Sequence, residues 1–272
     1  MCGTTQVKPL SMIDELLVQG FVVSFVQYFI ALKIFSCAAS TCALFKIVPI
    51  FCCIAMCRSE LLIALGLLLS AVGDVSLELA GAGDDAKKLV FLFGVAAFLS
   101  AHVAYIVALL AMLRRARATS SIATSRGAPI MNIAGAIFFV SFAAVMSFTL
   151  LGSESKLAPD DVVMRGSIVI YACVIATMGF VAFRRAVELG CFNGAGGVVG
   201  GTLRWATGLA SFTAEQESGF IALVGAALFI CSDTILSLNK FHSVANGWTH
   251  GKDAVMVTYF IAQLFIARSS LK

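Results

Sequence analysis

Charge is scarce in this chain. Of its 272 residues 12% are Asp, Glu, Lys or Arg and 60% are hydrophobic, where a soluble domain averages about 25% charged residues, so a soluble class is excluded. The formal net charge is only +4 and comes without dense basic tracts, which excludes a nucleic-acid partner. Histidine occurs only as His102, His242 and His250, and His102 alone falls in an apolar run, too few ligands for a membrane zinc hydrolase. The nine cysteines are odd in number and scattered, which argues against a disulfide framework. Most lie in apolar stretches, where they act as small hydrophobes. The pair Cys52-Cys53 has no second pair at zinc spacing, so no metal and no cofactor is expected. The first apolar run lacks a basic leader and a small-residue cleavage site and reads as a membrane span, not a removable signal.

What is abundant is apolar length. Runs able to cross about 30 Å of hydrocarbon lie at Leu16–Phe35, Thr41–Cys57, Leu61–Leu79, Leu89–Leu113, Ala128–Leu151, Val162–Phe183, Gly219–Leu238 and Ala254–Ala267. The expectation is an all-α integral membrane bundle of eight transmembrane helices, one membrane domain over residues 1–272. Residues 188–218 would be a glycine-rich loop insertion between helices 6 and 7, because Gly190–Gly201 carries six glycines and glycine resists helix formation. With eight spans, eleven of the nineteen basic residues fall on the side of both termini, carried mainly by Arg114, Arg115, Arg117 and Arg126. That bias places both termini in the cytosol, with the endoplasmic reticulum membrane expected in a eukaryote.

Two aspartates sit deep in these runs, Asp74 and Asp233. A charge at the centre of a membrane helix costs about 2.5–3.5 kcal/mol on insertion scales, so each needs a reason to be there. Their surroundings match: Gly66 and Gly225 precede them at equal spacing, Gly73 or Ser232 stands directly before, and Leu-x-Leu follows. The third and seventh helices run in the same direction in this scheme, which suggests a 4+4 parallel repeat. Both acids would lie about 9 Å inside the same boundary, at 1.5 Å per residue.

Other polar residues accompany them. Gly66, Ser70, Asp74 and Glu78 recur every four residues on helix 3, a stripe that belongs inside a bundle; Glu78 reads as solvated near the interface. Helix 4 contributes His102 and Tyr105, helix 6 Tyr171, helix 8 Tyr259 and Gln263, and helix 2 the cation Lys46. Asn239 and Lys240 follow Asp233 toward the helix end. A buried polar network that only fixes helix packing is the bland reading of the set. A proton- or cation-coupled transporter is the other reading, since transporters also carry paired acids on matched helices; neither acid, however, sits at a Gly/Pro break.

The string Gly66-x-x-x-Ser70-x-x-Gly73-Asp74-x-x-Leu77, followed by Phe93-Gly94-x-x-x-Phe98-x-x-x-His102-x-x-Tyr105, resembles the lysoplasmalogenase (YhhN-like) family. So do Gly225-Ala226-x-Leu228-Phe229-x-x-Ser232-Asp233-x-x-Leu236-x-x-Asn239-x-Phe241, Thr258-Tyr259-x-x-Ala262-Gln263, and Tyr171 with Met178. Lys46-x-x-Pro49 matches except for one missing proline, and the long 190–218 segment departs from the compact family loop. The resemblance implies hydrolysis of the vinyl ether bond of a lysoplasmalogen, with Asp74 and Asp233 as the catalytic pair. It implies a single-chain lysophospholipid substrate among membrane lipids. Such chemistry needs one protonated acid and one ionised carboxylate, with Lys46 or His102 favouring the ionised form. The cavity would be lined by Asp74, His102, Tyr259 and Gln263, and Asn239, Lys240 and Lys46 would meet the head group.

Overall fold

The computed structural model describes residues 11–34, 39–80, 85–119, 127–193, 212–243 and 250–271. Among them are eight helices and no strand beyond one bridge between Ser155 and His242. The helices are α1 (Met12–Ile34), α2 (Ala39–Met56), α3 (Leu61–Ala80), α4 (Asp85–Thr119), α5 (Ala128–Leu151), α6 (Val162–Glu188), α7 (Ala214–Phe241) and α8 (Gly251–Arg268). Six of them, α1 and α3 to α7, are long and apolar enough to cross a membrane, and the protein is a multi-pass integral membrane protein. The expected count of eight spans is reached in helices but not in apolar length. α2 and α8 have 18 residues each, about 27 Å. The apolar stretch of α2 is Leu44–Met56, and α8 carries Lys252, Asp253 and Arg268.

Several helices run past the apolar runs that announce them. α4 has 35 residues, about 52 Å, because charged helix formers extend it at both ends. α7 begins at Ala214 because Thr213 and Gln216 form a capping box, which satisfies two otherwise orphaned backbone groups. Of the insertion expected over 188–218, Glu188 is the last residue of α6, residues 214–218 are helical, and 194–211 lie outside the described residues. Asp161 caps α6 by accepting from the Met164 amide at 3.2 Å. Lys88, 2.7 Å away, holds its carboxyl below the usual carboxylate range.

Six helices close a ring in the order α2, α3, α4, α6, α7, α8 and back to α2. α1 packs outside on α2, and α5 outside on α6 and α7. These two outer helices are the least buried of the six candidate spans, 22% and 17%. Ile133, Ile137, Val140 and Phe148 of α5 stand exposed, the surface that lipid covers. Ion pairs fix how the helices run. At one end Arg115 meets Glu60 at 2.6 Å, Arg117 and Arg184 meet Glu188, and Arg268 meets Glu217 at 3.7 Å. These contacts join the starts of α3 and α7 to the ends of α4, α6 and α8, so α3 and α7 are parallel. At the other end Lys33 pairs with Asp253 and Lys88 with Asp161, both at 2.7 Å.

Of the polar stripe of α3, Gly66, Ser70 and Asp74 are buried and Glu78 is half-buried. Its two glycines let α4 approach: a Cβ on Gly66 would overlap the Tyr105 ring, and one on Gly73 would stand 2.5 Å from the Phe98 ring. Gly66→Ala and Gly73→Ala are each expected to lower stability by about 1–3 kcal/mol, the usual cost of overpacking. Thermal unfolding in detergent measures this; unchanged midpoints would mean the α3–α4 contact is looser than described.

Candidate active site

Polar side chains from five ring helices meet at a cavity of about 560 Å³. Its wall includes both membrane aspartates, Asp74 from α3 and Asp233 from α7. Lys46, Tyr171, Ser232, Asn239 and Tyr259 also line it. The remaining four sequence candidates, Ser70, His102, Tyr105 and Gln263, do not: they stand in the layer behind. The expectation that His102 and Gln263 line the cavity is thus corrected, because both are fully buried between helices.

The two acids have unlike partners. Asp74 is 3% exposed, and donors hold both its oxygens: Lys46 Nζ lies 3.0 Å from Oδ1, and the Tyr259 hydroxyl donates to Oδ2 at 2.5 Å. Lys46 comes from α2, where Pro49 lies inside the helix; lacking an N–H, Pro49 leaves the Phe45 carbonyl without its intrahelical donor. The same ammonium stands 3.8 Å from Glu78. Glu78 is in the cavity wall and not merely a solvated residue at the helix end.

Asp233 faces a phenol and an imidazole. The Tyr171 hydroxyl donates to its Oδ2 at 2.5 Å, and His102 Nε2 lies 3.0 Å from that hydroxyl and 3.5 Å from the carboxylate. The phenol has one proton and uses it on Asp233, so Nε2–H is the donor toward Tyr171. Nδ1 lies 3.3 Å from Met178 Sδ, a thioether that can only accept. The arrangement is a chain from imidazole through phenol to carboxyl.

Behind Asp74 lies a second polar layer. The Tyr105 hydroxyl donates to Gln263 Oε1 at 2.9 Å and lies 3.3 Å from Ser70 Oγ, while Gln263 Nε2 has no partner among the described residues. Ser232 turns away from the chemistry, donating to the Val255 carbonyl of α8 at 3.0 Å. Asn239 packs against Gly251 at the start of α8. No three His, Cys, Asp or Glu side chains converge as a metal site among the described residues.

The sequence reading missed Tyr28 and Lys252, which also line the cavity. Tyr28 had a usable signal: the chain has only four tyrosines, and the other three serve this site or its backing layer. Lys252 had none, because it precedes the last apolar run.

Comparison with curated proteins and with solved structures finds no significant match. The family model described as the YhhN family matches residues 38–270, which spans α2 through α8 and every residue of the site except Tyr28. The chain belongs to the YhhN family, which is the lysoplasmalogenase family and is associated with hydrolase activity.

Proposed function

We propose that the protein hydrolyses the vinyl ether bond of a lysoplasmalogen, releasing a fatty aldehyde and a glycerophospho-alcohol. The unlike carboxylates on one cavity carry this reading. In this reading Asp74, paired with Lys46, serves as the carboxylate, and Asp233, hydrogen-bonded to Tyr171 with His102 behind it, serves as the proton donor. Two acids with unlike partners on one cavity suit general acid–base chemistry.

Asp233 gives its proton to the outer alkene carbon, and the C=C–O unit becomes an oxocarbenium ion. The Tyr171 hydroxyl, backed by His102, stabilises the carboxylate left behind. Asp74 stabilises the cation and takes a proton from the water that adds to it, forming a hemiacetal. Collapse breaks the C–O bond to glycerol. Asp233 takes the hemiacetal hydroxyl proton while Asp74 returns its own to the leaving oxygen, which restores both groups. One water is consumed. Incubating purified protein with a lysoplasmalogen and assaying for fatty aldehyde tests this; no aldehyde above a heat-inactivated control would end it.

The cavity also supports the substrate's shape. Phe142, Met146 and Leu150 of α5 and Met164 and Ile168 of α6 form an apolar wall. Phe91, Val95 and Phe98 of α4 border the same cavity. A volume of about 560 Å³ suits one ligand of drug size. Single-chain vinyl ether lipids are expected to turn over at least tenfold faster than two-chain plasmalogens in matched detergent; equal turnover would contradict the narrow cavity.

We read the bundle as eight spans in two parallel sets of four. Adding four to each helix number turns the neighbours α1–α2, α2–α3, α3–α4 and α4–α6 into α5–α6, α6–α7, α7–α8 and α8–α2, all of which pack. Gly66 faces Tyr105 and Gly225 faces Ile266, which makes Phe98 equivalent to Tyr259 and His102 equivalent to Gln263. Divergence at these positions gives the two acids their different partners. The excess of basic residues at the Glu60 end supports cytosolic termini.

A further inference from the structure

The lysines that approach the cavity are not alike. Lys46 has Asp74 at 3.0 Å, and toward the same end of the bundle Lys33 has Asp253 and Lys88 has Asp161, each at 2.7 Å. Lys240 and Lys252 also line the cavity, yet neither has a carboxylate partner among the described residues. Lys240 Nζ instead lies 3.7 Å above the Phe91 ring. The acids near them are engaged elsewhere: Glu78 faces Lys46, and Asp253 faces Lys33 with His250 at 4.0 Å. Two cations without a carboxylate partner among the described residues therefore stand at one end of the cavity, on the last turn of α7 and the first turn of α8. Cations so placed are complementary to an anion presented by whatever fills the cavity.

We infer that Lys240 and Lys252 bind the phosphate of a single-chain phospholipid and thereby set the reacting bond beside Asp233. This rests on the hydrolase reading for the identity of the reacting bond, but the phosphate site stands on the lysines themselves. The register fits. Lys240 follows Asp233 by seven residues on the same helix, two turns and about 10 Å of rise. From the outer alkene carbon of a lysoplasmalogen to its phosphorus there are seven bonds, about 8–9 Å extended at roughly 1.2 Å of advance per bond. Lys240 and Lys252 are specificity-determining residues, remote from the bond that breaks. A lipid lacking the phosphate would enter the cavity but slide along it.

Binding tests this without any cleavage. Full-length protein in detergent is titrated with an ester-linked lysophosphatidylethanolamine, with the monoacylglycerol of the same chain, and with inorganic phosphate. Wild type is compared with Lys240→Gln, Lys252→Gln and the double variant. Wild type is expected to favour the lysophospholipid by about tenfold or more, each Gln to remove part of that preference, and the double variant to bind both lipids equally. Monoacylglycerol affinity should not change in any variant, and inorganic phosphate alone should bind far more weakly than the lysophospholipid. An undiminished preference in the double variant, or no preference in wild type, overturns the inference. Loss of monoacylglycerol binding in the variants also overturns it, since the lysines would then be shaping the cavity. Inorganic phosphate binding as tightly as the lysophospholipid would show a free-phosphate site and overturn the lipid assignment. If the binding pattern holds but no vinyl ether is cleaved, the hydrolase reading falls and the phosphate site remains.

Discussion

Asp233→Asn is expected to lower vinyl ether hydrolysis by about 10²–10⁴-fold, the usual contribution of a general acid, while the protein stays folded. Asn still accepts the Tyr171 hydroxyl that now reaches Asp233 at 2.5 Å, so the hydrogen-bond chain to His102 persists. What it lacks is a proton that carbon can take. Asp74→Asn should fall comparably, because an amide neither stabilises an oxocarbenium ion by charge nor removes a proton from water. Steady-state aldehyde release, with thermal unfolding as a folding control, measures both. A fully active Asp233→Asn enzyme would remove that residue from the chemistry. A variant that fails to fold would favour a polar network whose work is structural.

Lys46→Met is expected to have the largest effect on stability. The pair is buried, with side-chain exposures of 10% for Lys46 and 4% for Asp74, and removing one member of a buried pair typically costs about 3–5 kcal/mol. The loss comes from the stranded carboxylate more than from the missing attraction. Adding Asp74→Asn to Lys46→Met should therefore restore most of the stability, and the double variant should still be inactive. Thermal unfolding of the two single variants and the double separates these terms. A Lys46→Met protein as stable as wild type would mean that the ion pair does not hold Asp74.

Much of this site was legible because lipid penalises charge. Asp74, Asp233 and Lys46 stand out in apolar runs, and their depth follows from 1.5 Å of rise per residue. Depth is not direction around the helix. His102 and Gln263 occur at the right level, yet they sit behind Tyr171 and Tyr259, and only knowing which helices are neighbours reveals that. The ring itself was not readable: chain order sets α4 next to α5, whereas α4 packs on α6 and α5 lies outside. Tyr28 belongs to an outer helix whose aromatic residues resemble lipid-facing ones. Helix ends were hidden where polar residues carry them, as at Thr213 and Gln216, whose capping box starts α7 ahead of its apolar run. Lys252 was lost for that reason, because α8 begins at Gly251, before its apolar run.

The central claim is that a cavity-lining carboxyl protonates the alkene carbon of a vinyl ether. It is tested most directly by running the reaction in deuterium oxide and trapping the aldehyde as it forms. The expected product carries one deuterium on the carbon next to the aldehyde group. Its release should be slower than in water, since proton transfer to carbon is the difficult step, and Asp233→Asn should give almost none of it. An aldehyde without deuterium at that carbon, or labelled aldehyde released at the wild-type rate by Asp233→Asn, would contradict the mechanism.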